Sequence, residues 1–191
     1  MVTPELELAV ILARRFEALG LRYLVGGSVA SSLHGVPRTS HDVDLLVDVP
    51  LEVADKIAAA LETEFYVDAD MIREAVRRGS TFNIIHYGTG YKADVFVLTE
   101  DALLQEEMRR RQPYKVSEGE LAVYFATAED MVLQKLSWYR AGGESSERQW
   151  EDVLGILKVQ GNRIDLAYLY AWARGTHVSD LLERALEAVR S

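Results

Sequence analysis

Asp42 and Asp44 are two residues apart in the run His41 to Val49, which has the β-branched and leucine-rich interior of a strand. A period of two puts both carboxylates on one face, with Val43, Leu45 and Val47 turned to the opposite, buried face. Two carboxylates at about 4 Å repel by roughly 4 kcal/mol at an effective dielectric of 20, so a fold that keeps them together needs a compensating charge. A divalent cation supplies it, since Mg²⁺ is held by one or two carboxylates plus substrate phosphates. Asp94 lies in a second alternating strand, Lys92 to Leu98. If the two strands are neighbours, Asp94 completes a three-carboxylate cluster suited to a two-metal scheme. The plainer reading is a solvated strand face that happens to carry aspartates.

Upstream, Gly26, Gly27 and Ser28 separate a short buried strand, Arg22 to Val25, from a helix that opens at Ser28. Glycines let a backbone come close to a phosphate, and a helix N-terminus attracts anions. The same residues would also serve as a tight turn followed by an ordinary Ser28 N-cap.

The order of these pieces resembles the DNA polymerase β-like nucleotidyltransferase superfamily: strand, Gly26-Gly27-Ser28, helix, D-x-D in the next strand, then a third aspartate. Thirteen residues separate Ser28 from Asp42. The stretch Arg38-Thr39-Ser40-His41-Asp42-Val43-Asp44-Leu45 is similar to the corresponding run of small prokaryotic members. The long helical tail is closer to the abortive-infection toxin (AbiEii-like) type. In that type a lysine recurs on the first C-terminal helix, matched here by Lys135 in the run from Glu129 to Leu136, with Arg148 and Asp152 following. The resemblance implies Mg²⁺ or Mn²⁺ on Asp42, Asp44 and Asp94, with Asp94 also activating the acceptor hydroxyl. It implies a nucleoside triphosphate held by Gly26, Gly27, Ser28, Arg38 and Lys135. Lys135 has two further readings, a solvated helix lysine or a partner of Asp152. The implied function is transfer of a nucleoside monophosphate to a hydroxyl of an acceptor, a tRNA end being one candidate, in a toxin-like protein with a cognate antitoxin. The alternative is a non-catalytic nucleotide-binding or antitoxin-like interaction module of the same fold.

The elements that must position these residues follow from periodicity. The spacing predicts helices over 5–19, 28–35, 51–65, 71–78 and 101–111. Strands 81–87 and 92–98 form a hairpin through Gly88-Thr89-Gly90, and a further strand or hairpin falls within 114–126. From Ala128 onward every segment is helical. The expected class is α/β (α+β): a short mixed sheet flanked by helices over residues 1–112, with a mainly helical extension over residues 113–191 packed on that core. Trp138, Tyr139 and Trp150 are assigned to the core.

Composition limits the alternatives. The chain of 191 residues has no cysteine, which removes disulfides, thiolate metal sites and cysteine nucleophiles. No HxxxH, G-x-S-x-G or P-loop motif occurs. The N-terminus lacks a basic region and no apolar run spans a membrane, so the chain reads as cytoplasmic. Thirty acidic against 21 basic side chains give a net charge of −9, which disfavours sequence-independent attraction to nucleic acid. Arg73, Arg77 and Arg78, and Arg109 to Arg111, are local basic runs that read first as helix ends.

Overall fold

The computed structural model describes residues 3–116 and 122–190. Part of the strand or hairpin expected within 114–126 falls on residues 117–121, outside the described residues. Two compact units are present: Met1–Val29 with Thr39–Ala126, and Ala30–Arg38 with Thr127–Ser191.

The first unit is built on one mixed sheet. Its strands are β1 (Tyr23–Val25), β2 (Asp42–Val47), β3 (Phe65–Tyr66), β4 (Thr81–His86), β5 (Lys92–Val97), β6 (Gln112–Lys115) and β7 (Ala122–Phe125), in the order β3-β4-β5-β2-β1-β7-β6. β2 runs antiparallel to β1 and parallel to β5, and β4 returns antiparallel to β5 as the hairpin signal requires. α1 (Pro4–Ala18) starts at an N-cap, Thr3, whose hydroxyl accepts from the Leu6 N–H, with proline in the first turn. α1 lies against β1, β2 and β7, and α4 (Ala69–Arg78) lies against α3 (Ala54–Leu61) and β4. α5 (Ala102–Arg110) begins at an Asp101 N-cap.

Alternation along the strands separates the two faces. Val43, Leu45, Phe82, Ile84, Ala93 and Val95 are essentially inaccessible, and Phe16, Ile57 and Ile72 of the helices are buried as well. Burying each of these side chains other than Ala93 is worth about 1.5–3 kcal/mol. The opposite face carries Asp42, Asp44, Asn83, Ile85, Lys92 and Asp94, all partly or largely exposed.

The helical spacing over 51–65 ends earlier than expected. Leu51–Val53 is a 3-10 turn, α3 stops at Leu61, and Phe65–Tyr66 pairs with β4 at His86 and Ile85. Sheet pairing overrides local periodicity there.

The second unit contains most of α2 (Gly27–His34), the chain to Arg38, and four further helices: α6 (Ala128–Ala141), α7 (Glu147–Gln160), α8 (Leu166–Gly175) and α9 (Ser179–Arg190). Three of the four start at a side-chain cap: Thr127, Ser146 and Asp165 accept backbone N–H groups at the starts of α6, α7 and α8. α7 lies against α6 and α9. Gly155 of α7 faces Val36, and a Cβ on Gly35 would come within 2.8 Å of the Ile156 backbone nitrogen. Tyr139 is buried against Trp150, whereas Trp138, assigned to the core from sequence, is 51% exposed on the outer side of α6. No helix among the described residues is long and apolar enough to cross a membrane.

Candidate active site

The three aspartates come together on the open face of the sheet. In the β2–β5 pair, Asp44 stands directly beside Asp94, and Asp42 directly beside Lys92. Neighbouring strands lie about 4.8 Å apart, so the Asp44 and Asp94 side chains rise side by side from one face of the sheet. Asp42 is the more exposed member, at 54% of its side chain against 23% for Asp94. His41 lies in the loop before β2, with its ring beside that of Tyr91.

A fourth group on this face was not singled out from sequence. The Lys92 ammonium sits 3.0 Å from Asp94 Oδ2 and 4.0 Å from Asp42 Oδ1. Its hydrogen bond to Asp94 raises its pKa above the ordinary lysine value against the opposing effect of burial, and the charges of Asp94, Asp42 and Asp44 add to the rise. Lys92 has the parity of Asp94, two residues before it, but only the β2–β5 register brings it opposite Asp42.

The Gly26-Gly27-Ser28 turn closes on the same carboxylates. The Gly26 N–H donates to the Asp44 carbonyl at 2.9 Å. Gly27 has φ +55°, and a Cβ there would fall 1.7 Å from Asp44 Oδ2. Only glycine satisfies both conditions. Ser28 is 6% exposed, and its Oγ is buried with no hydrogen-bond partner. A buried hydroxyl without a partner costs about 1–3 kcal/mol unless a ligand supplies one.

The contact between Gly27 and Asp44 gives a matched pair of substitutions. Gly20 also has positive φ, +71°, but nothing lies within 4 Å of a Cβ placed on it. Gly20→Ala should therefore cost only the backbone strain, about 1–2 kcal/mol. Gly27→Ala should cost more by about 1–3 kcal/mol, because the methyl must displace the carboxylate. Urea unfolding of the two variants measures the difference; equal losses would mean that the turn relaxes freely away from Asp44.

Arg38 and Lys135 belong to the second unit and meet there at Asp152. Arg38 Nε and Nη2 donate to Asp152 Oδ1 and Oδ2 at 2.8 and 3.0 Å, and Lys135 Nζ lies 2.8 Å from Oδ2. Lys135 and Asp152 are 7% and 5% exposed at the side chain. Burial pushes the Asp152 carboxyl up, but the hydrogen bonds from Arg38 and Lys135 outweigh it and hold the pKa below the ordinary aspartate value. The residues singled out from sequence thus form two groups: Gly26, Gly27, Ser28, Asp42, Asp44 and Asp94 on the sheet unit, and Arg38 with Lys135 around Asp152 in the helical unit.

Among the described residues, no three His, Cys, Asp or Glu side chains are disposed as a ready-made cage for a metal ion. The donor set still fits a hydrated dication. Asp44 and Asp94 offer two adjacent hard oxygen donors on an open face, and Mg²⁺ keeps several waters and takes further ligands from substrate phosphates. What the sheet lacks is an all-protein shell, and the Lys92 ammonium lies 3.0 Å from Asp94 and 4.0 Å from Asp42.

No family model and no curated protein matches the chain. Solved structures do. The solution structure of the antibiotic-resistance factor ANT(2'')-Ia aligns over 98% of this chain and 100% of its own, with a TM-score of 0.56 at 15% identity. A crystal structure of ANT(2'')-Ia in complex with adenylyl-2''-tobramycin aligns over 91% of this chain and 98% of its own, with a TM-score of 0.54 at 15% identity. An antigenic nucleotidyltransferase-like protein from Paracoccidioides brasiliensis aligns over 95% of this chain and 91% of its own, with a TM-score of 0.56 at 15% identity. The fold is that of the nucleotidyltransferases, in agreement with the resemblance of the Gly26-to-Asp94 motifs.

Proposed function

We propose that the chain transfers a nucleoside monophosphate from a nucleoside triphosphate to a hydroxyl group, releasing pyrophosphate. The observation that carries this reading is the register of Asp44 beside Asp94, with the Gly27 turn closed on Asp44. Asp42, Asp44 and Asp94 would hold Mg²⁺ or Mn²⁺, which when bound neutralises charge on the triphosphate and on the leaving pyrophosphate. Gly26 and Gly27 leave the backbone open to the phosphates, and the buried Ser28 hydroxyl donates to a phosphate oxygen. The acceptor oxygen forms a bond to the α-phosphorus as the bond from that phosphorus to the pyrophosphate oxygen breaks, and the acceptor proton passes to the Asp94 carboxylate. Arg38 and Lys135 are further candidates for nucleotide contact on the resemblance alone.

The acceptor that fits best is a small molecule. Binding an RNA needs cations free to face phosphates. Here Arg73 pairs with Asp55 and Asp70, Arg78 with Glu74, Arg109 with Glu106 and Arg38 with Asp152. Arg111 donates to the Met108 carbonyl and lies over the Tyr124 ring. These contacts engage Arg38, Arg73, Arg78, Arg109 and Arg111, and the net charge of −9 disfavours sequence-independent attraction to an RNA. ANT(2'')-Ia, crystallised with adenylyl-2''-tobramycin, is a protein of this fold with such an acceptor. The toxin-like role with an antitoxin partner rests on the tail motif only.

The test is incubation with each labelled nucleoside triphosphate and Mg²⁺, in parallel with pooled small hydroxyl compounds and with total tRNA. Label should move to a small-molecule product with release of pyrophosphate, and tRNA binding should stay weak and flat across a salt series. Labelled tRNA would overturn the acceptor assignment. Tight nucleotide binding without turnover on any acceptor would favour the non-catalytic module.

A further inference from the structure

The structure assigns Lys92 a role as a tethered cation that competes with the divalent ion for Asp94 and Asp42, so that metal binds well only together with the triphosphate. The assignment rests on the proposed nucleotidyl transfer, which gives these carboxylates to a metal. Three features of the site carry it. Lys92 lies opposite Asp42 in the β2–β5 register and two residues before Asp94, which places its stem on the same open face as all three carboxylates. Its ammonium is within 3.0 Å of Asp94 and 4.0 Å of Asp42. It is 36% exposed at the side chain, so a four-carbon stem can swing the charge outward without unfolding anything.

The electrostatic consequence has two sides. Without metal, the ammonium offsets repulsion between carboxylates held side by side by the sheet register, and so stabilises the site. With metal, the same ammonium is a like charge in the first few ångströms and must leave Asp94. A metal ion arriving alone supplies only its own charge to displace it. A metal ion arriving with a triphosphate brings about four negative charges, which give the displaced ammonium a new partner on the open face. Lys92 is therefore a positioning residue that couples metal binding to nucleotide binding and shields the site from empty metal loading.

The experiment compares the full chain with Lys92→Met, which keeps the apolar stem, and Lys92→Arg, which keeps the charge. Mn²⁺ affinity is read by electron paramagnetic resonance, with and without a non-hydrolysable nucleoside triphosphate, and the thermal midpoint is read without metal. Lys92→Met should bind Mn²⁺ alone about two- to fivefold tighter than the unmodified chain, the scale of a partly exposed ion pair. Its metal-free midpoint should fall, and its gain in Mn²⁺ affinity on adding nucleotide should shrink. Lys92→Arg should behave as the unmodified chain. If Lys92→Met and the unmodified chain bind Mn²⁺ alone equally, and nucleotide helps both equally, Lys92 is a structural ion pair and the inference is overturned while the transferase reading stands. If neither protein binds Mn²⁺ even with nucleotide, both readings fall.

Discussion

Replacing Asp94 by asparagine should lower nucleotidyl transfer by about 10²–10⁴-fold, the range seen when a positioned general base is removed. The amide has nearly the shape of the carboxylate, and the position is 23% exposed, so the strand should keep its place. Stability should change little: the substitution relieves repulsion with Asp44 but takes away the partner of Lys92. Asp44→Asn should act in the same direction on activity and leave the metal-free protein at least as stable. The control is Asp48→Asn, just beyond β2, where Asp48 pairs with Arg22 at 2.6 Å outside the carboxylate group. That change should leave turnover within about twofold, because an exposed pair is worth about 0–1 kcal/mol and lies outside the chemistry. The measurement is turnover with the acceptor identified in the labelling experiment, alongside urea unfolding of each variant. Asp94→Asn retaining more than about a tenth of the activity would remove Asp94 from the role of base.

Parity makes part of this site legible in the sequence. The alternation in Asp42-Val43-Asp44-Leu45 and in Lys92-Ala93-Asp94-Val95 sorts each strand into a polar and a buried face, and both faces are as expected. Parity cannot say which strands adjoin. β2 and β5 are parallel neighbours separated in sequence by α3, β3, α4 and β4, and no local signal encodes that crossover. Only the register puts Lys92 opposite Asp42, so parity alone does not distinguish this lysine from any other on a solvated strand face. Gly26-Gly27 is readable as a close-approach turn, but the group it approaches, Asp44, is seventeen residues beyond Gly27 and reaches it through the β1–β2 pairing. The short β3 is hidden for a different reason: a two-residue strand has too few positions to show a period, and Leu61 and Phe65 continue the helical spacing of the segment before it. Trp138 shows the limit of treating a large aromatic as core, since one side of α6 faces solvent.

For Lys135, sequence leaves nucleotide contact, a bond to Asp152 or a solvated helix lysine; at 7% exposure it is not solvated, and stability against pH separates the other two. Asp152→Asn should destabilise the protein by about 3–5 kcal/mol near neutral pH, the cost of leaving buried charge without its counter-ion. Lys135, 7% exposed, would lose the carboxylate 2.8 Å away, and Arg38 would lose both of its hydrogen-bond acceptors on Asp152. Lys135→Met should cost less, about 1–2 kcal/mol, because Arg38 still holds Asp152 through two donors and the methionine stem fills the same space. The sign of the pH effect follows from the direction of the Asp152 shift. Its folded pKa lies below the ordinary aspartate value, so its contribution is complete above the unfolded pKa of about 3.9 and is lost as pH falls through the folded value. The gap between the unmodified chain and Asp152→Asn should therefore be constant from about pH 7 to 5 and close below about pH 4. A gap that persists unchanged into acid would mean that shape rather than charge holds the helices there. Nucleotide affinity of Lys135→Met then completes the decision. A loss of about tenfold or more, with stability reduced only as above, assigns Lys135 to the triphosphate as a point charge. Unchanged affinity confines it to the buried group that joins α6 and α7 to the Arg38 segment within the helical unit.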